Sequence, residues 1–61
     1  MTFEIARVDP DVPYVPVWTV AGNIARGTGC IIHFCTDGTY EAIDRETFEI
    51  TARYDSTGRK L

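Results

Sequence analysis

An Asp-Gly pair set between two β-rich runs constrains this chain more than any other feature. Cys30-Ile31-Ile32-His33-Phe34-Cys35 leads through Thr36-Asp37-Gly38 into Thr39-Tyr40-Glu41-Ala42-Ile43. A two-residue hairpin turn needs positive φ at its centre, which Asp and Gly tolerate. With Asp37 and Gly38 as the central residues, Cys35 faces Tyr40, His33 faces Ala42 and Ile32 faces Ile43. That register gathers Ile32, Phe34 and Ile43 on one face.

Further strands flank the hairpin. Phe3 and Ile5 alternate with Thr2, Glu4 and Ala6, so Thr2 to Val8 reads as a first, half-buried strand. Val17-Trp18-Thr19-Val20 is dense in β-formers and reads as a second. Between them Pro10, Pro13 and Pro16 recur every third residue, and proline cannot donate to a sheet ladder, so this segment is an extended connection or an edge. Gly22-Asn23 and Gly27-Thr28-Gly29 mark Ala21 to Gly29 as a loop or short hairpin. A single helical turn there would carry only the thin stripe Ala21, Ile24 and Ala25. After the polar break Asp44-Arg45-Glu46, Thr47 to Tyr54 sets Phe48, Ile50, Ala52 and Tyr54 against Glu49, Thr51 and Arg53. Asp55 to Leu61 has no periodicity and reads as a flexible C-terminal tail. The expectation is one all-β domain over residues 1–54, built as a five-stranded, strongly bent antiparallel sheet or an SH3-like barrel.

A chain of 61 residues lies near the lower limit for an unaided core. Ordering costs about 1.5 kcal/mol per residue, so burial must be efficient or be supplemented by a partner, and a homodimer is one way to supplement it. Six basic residues against nine acidic ones leave a net charge of −3. That balance argues against a protein whose first task is neutralising phosphates. No apolar run is long enough for a membrane span, and the start Met1-Thr2-Phe3-Glu4 lacks the basic and apolar regions of a signal peptide. A cytoplasmic protein is expected. Cys30 and Cys35 agree with a reducing compartment, because on one extended strand they lie about 16 Å apart, beyond disulfide reach.

The residues that could carry chemistry are few. His33 and Cys35 share a strand face, the minimum of a nucleophilic pair, but nothing marks a third orienting group or an oxyanion site. Cys30 faces away from both, so the three do not make a zinc set. The glycines from Gly22 to Gly29 lack the Gly-Lys-Ser/Thr end of a phosphate loop. Arg7, Pro10 and Pro13 match the spacing of a proline-rich SH3 ligand, but Asp9 and Asp11 spoil it. No catalytic residue, metal or cofactor is expected. Tyr14, Trp18 and Tyr40 are more than a small core holds beside Phe3, Phe34 and Phe48, and Tyr and Trp are the usual interface anchors. A partner-binding surface is therefore expected on Tyr14, Trp18 and Tyr40, with Glu41 and Arg53 as rim charges, Trp18 being equally suited to the centre of the core.

The strand, Asp-Gly hairpin, polar break and closing Phe48-Glu49-Ile50-Thr51-Ala52-Arg53-Tyr54 give Gly29 to Tyr54 a resemblance to small accessory proteins of phages and prophages. The resemblance implies a viral or mobile-element origin, a compact β-barrel, and contact with a host or phage protein. The expected function is that of a non-enzymatic protein-interaction module that binds and modulates or inhibits a bacterial host protein. The alternatives are a single-stranded nucleic-acid binder, which would need Arg26, Arg53, Arg59 and Lys60 on one face, and a structural phage subunit or homodimer.

Overall fold

The computed structural model describes residues 3–11 and 19–61. In chain order the elements are β1 (Glu4–Val8), α1 (Val20–Thr28), β2 (Ile31–Cys35), β3 (Tyr40–Ile43) and β4 (Ile50–Tyr54). The four strands form an open antiparallel sheet in the order β1-β2-β3-β4, with α1 packed on one face. Mostly strand was the right expectation. Five strands and a closed barrel were not: the described residues form four strands in an open sheet, and Val20, the last residue of the expected second strand, begins a helix that continues through the segment expected as a loop.

The helix forms because its ends are specified. Thr19 is extended, and its Oγ1 accepts the Gly22 amide at 3.0 Å. Gly29 ends the helix with φ 72° and returns its N–H to the Ala25 carbonyl. These are the hydroxyl N-cap and left-handed C-cap that satisfy orphan backbone groups. Of the strand expected over Val17–Val20, Thr19 is the cap and Val20 is helical, while Val17 and Trp18 lie outside the described residues. Ala21, Gly22 and Ala25 are buried. The thin stripe suffices because side chains this small bring the helix backbone close to the sheet, where Ala21 and Ala25 cluster with Ile32 and Ala42.

The hairpin is real, but it is one residue out of the expected register. The Cys35 carbonyl accepts Gly38 N–H at 3.0 Å and Cys35 N–H donates to the Thr39 carbonyl at 2.9 Å, so the loop is the three residues Thr36-Asp37-Gly38, with Gly38 at φ 84°. This is the type-I-plus-bulge alternative to a two-residue turn, and Asp37 Oδ1 holds it by accepting the Thr39 amide at 3.0 Å. Phe34 therefore faces Tyr40, His33 faces Glu41, Ile32 faces Ala42 and Ile31 faces Ile43. A one-residue slip exchanges faces. Ile43 leaves the side of Ile32 and joins Ile31 on the far face of the sheet, away from α1, where both are buried.

Two further segments differ from expectation. β4 starts at Ile50 rather than Thr47, because Asp44 Oδ1 accepts the amides of Glu46 and Thr47 while the Asp44 carbonyl accepts Phe48 N–H, which winds Asp44 to Glu49 into a bonded loop. The expected tail folds back on the sheet. Asp55 Oδ1 accepts the amides of Thr57 and Arg59, Tyr54 bridges to Lys60, and Leu61 N–H donates to the Arg53 carbonyl.

Candidate interaction surface

Strand alternation divides the polar and aromatic candidates between two faces. Tyr40 lies on the helix side, half-buried against the core, its ring stacked on Phe34 with centroids 5.0 Å apart. Glu41 and Arg53 face each other on the far side. Arg53 Nε is 3.9 Å from Glu41 Oε2, and its Nη2 is 3.7 Å from Asp37 Oδ2. The expected grouping of Tyr40 with Glu41 and Arg53 is thus not assembled, since adjacent residues on a strand point to opposite sides. Tyr14 and Trp18 lie outside the described residues.

The far face carries one polar row across all four strands, with Arg7 opposite His33, His33 opposite Glu41 and Glu41 opposite Arg53. His33 Nδ1 lies 2.8 Å from Glu4 Oε2. A carboxylate on an imidazole is the third group that a Cys–His pair requires, and sequence reading had no way to find it, because Glu4 and His33 meet only through the β1–β2 pairing. The thiol does not take part. Cys35 is 2% exposed, and its Sγ contacts the His33 carbonyl at 3.9 Å rather than the ring. Burial, and after it the hydrogen bond and negative charge of Glu41, push the Cys35 thiol above its ordinary pKa. A thiol kept protonated and covered is a poor nucleophile. Cys30 points to the helix side, with Sγ 3.9 Å from Thr51 Oγ1. Among the described residues no group of three or more His, Cys, Asp or Glu could hold a metal ion, and no helix is long and apolar enough to cross a membrane.

Among the described residues large apolar side chains stand exposed at three places, one of them Leu61 at the C-terminus. Phe3 and Ile5, at 60% and 59% exposure, lie at the start of and within edge strand β1. Phe48 and Ile50, at 70% and 54%, lie at the β3–β4 connection. Phe48 is the one described residue other than glycine with positive φ, at 62°. An aromatic residue is a genuine outlier in this region. Its loop is fixed on both sides: Asp44 N–H donates to the Glu49 carbonyl at 2.9 Å, Thr47 Oγ1 accepts the Glu49 amide, and Arg45 is ion-paired with Asp11. The loop therefore presents an aromatic ring on a hydrogen-bonded support, with Glu46 and Glu49 exposed beside it. The sequence signal for it is the polar break Asp44-Arg45-Glu46, at which Asp44 is also placed to cap one short turn.

Comparison of the chain with protein-family models, with curated proteins and with solved structures finds no match.

Proposed function

We propose that this chain is a small, non-enzymatic protein-interaction module, a phage or prophage accessory protein that binds and modulates a bacterial host protein. The observation that carries the interaction reading is Phe48, an exposed aromatic ring held at φ 62° by a bonded loop. Backbone strain of this kind persists where the surroundings impose it, and it concentrates at functional sites. With Ile50 exposed close by, Phe48 has the character of an interface anchor: a rigid aromatic ring on a fixed support. The phage origin rests on the sequence resemblance over Gly29 to Tyr54. The nucleic-acid alternative gains no support, because Arg26 is on the helix while Arg53 is on the far face between Asp37 and Glu41.

The test is capture from bacterial lysate with the tagged chain, alongside a Phe48→Asn variant, chosen because Asn tolerates left-handed backbone. The expected result is one stoichiometric host protein, recovered by the parent chain and lost with the variant. Equal recovery by both would remove Phe48 as the anchor, and recovery of no protein would remove the host-binding reading.

A further inference from the structure

We propose that β1 is a self-association edge, on which a second copy of this chain adds its own β1 antiparallel to form a continuous eight-stranded sheet. Among the described residues β1 pairs only with β2, so among them its other side is an unpaired edge. Natural sheets usually blunt such an edge with like charges, proline or a bulge that twists it away. β1 has a bulge, but its effect on the charges is unusual. Glu4 faces Cys35 and Arg7 faces His33, with the register shift between Glu4 and Ala6. Cys35 and His33 share the far face of the sheet, so Glu4 and Arg7 share it too. In a regular strand, residues three apart would lie on opposite faces.

This placement makes the edge self-complementary. A two-fold axis normal to the sheet, passing between Ile5 and Ala6, sets Glu4 opposite Arg7 of the second copy and Arg7 opposite its Glu4, both on the same face. It also sets exposed Phe3 opposite Val8 of the second copy. Arg7 is exposed and has no ion-pair partner among the described residues, while the Glu4 carboxylate stays partly open beside His33. Opposite charges directly across an antiparallel pair stabilise it and like charges oppose it. A closed two-fold contact of this sort yields a dimer and no further growth. The surface is separate from Phe48, so the inference stands or falls independently of host binding.

Sedimentation velocity of the full chain over a concentration series tests the proposal, with Glu4→Arg and Arg7→Glu beside the parent. The parent should dimerise. Each single variant opposes like charges twice and should self-associate about tenfold more weakly or worse, whereas an equimolar mixture of the two restores every opposite pair and should recover the dimer. A parent that stays monomeric at all concentrations overturns the proposal, as does a mixture of folded variants that stays monomeric. Because Glu4→Arg also removes the His33 contact, a second measurement uses the parent alone. Mixed isotope-labelled and unlabelled chains should show nuclear Overhauser contacts between β1 strands of different copies, and a dimer without them overturns the assignment of β1.

Discussion

Phe48 is held in a backbone conformation that its type rarely adopts, and Cys35 is a buried thiol kept protonated. A left-handed backbone costs an L-residue roughly 1–2 kcal/mol, and Phe48 recovers little of that by burial, since its ring is exposed. Phe48→Asn should therefore fold as well as the parent or be more stable by up to about 1 kcal/mol, read as the midpoint of chemical denaturation. A loss of stability would mean that the ring supports the loop instead of projecting from it. Cys35 sits at the other extreme, buried and held protonated first by desolvation and then by Glu41. In the native state an alkylating reagent should label half-buried Cys30 well before Cys35, and under denaturing conditions the two should react alike. Rapid native labelling of Cys35, read by peptide mass spectrometry, would reopen the case for a Cys–His–Glu nucleophile.

Among the elements, the helix and the C-terminal turn each depend on glycine in opposite ways. Gly27 has open space where a Cβ would go and lies inside α1, so Gly27→Ala should stabilise by about 0.5–1 kcal/mol through helix propensity. Gly58 is at φ 90°, and a Cβ there would meet Val20 Cγ1 at 2.9 Å, so Gly58→Ala should cost about 1–3 kcal/mol. Thermal melts of the two variants should move in opposite directions; if both leave the midpoint unchanged, the C-terminal turn is not docked on α1. The same elements show what the residues made legible. β1, the hairpin and most of β4 are legible as elements from alternation and turn chemistry, which are local signals, but the bulges between Glu4 and Ala6 and opposite Ala42 and Ile43 break the alternation of faces within β1 and β4. The helix was hidden because Ala21, Gly22 and Ala25 form a weak stripe, and only the Thr19 and Gly29 caps announced it. The hairpin register slipped because Asp37-Gly38 suits both a two-residue turn and the second half of a three-residue loop, and the choice between them lies in Thr36 and Thr39. The candidate surface was harder still. Whether an aromatic projects from a support or stacks in a core depends on faces, and one misplaced residue exchanges them, as Tyr40 and Glu41 demonstrate.

For the molecule as a whole, nine acidic side chains outnumber six basic ones, and several carboxylates hold the turns together, so stability should be sensitive to acid in a defined way. Asp44 and Asp55 flank β4, one before it and one after. The amides of Thr47 and Glu46 hold the Asp44 carboxyl below its ordinary pKa, and the Thr57 hydroxyl and Arg59 amide do the same for Asp55. Because both are lower in the folded state than in the unfolded chain, where Asp titrates at about 3.9, the folded form binds fewer protons as pH falls through this range. Their contribution is fully present above the unfolded value and disappears as pH drops through the depressed folded values. The melting temperature should thus be level with respect to these two groups from neutral pH down to about 5 and should fall below about 4. An Asp44→Asn/Asp55→Asn double variant keeps an acceptor oxygen in each turn but not the charge. It should melt lower than the parent at neutral pH, decline less steeply in acid, and converge with the parent once the pH is low enough to protonate the parent's folded-state carboxyls too. Parallel curves offset by a constant amount would show that the two turns need the shape of the side chain and not its charge, and that the acid sensitivity arises elsewhere.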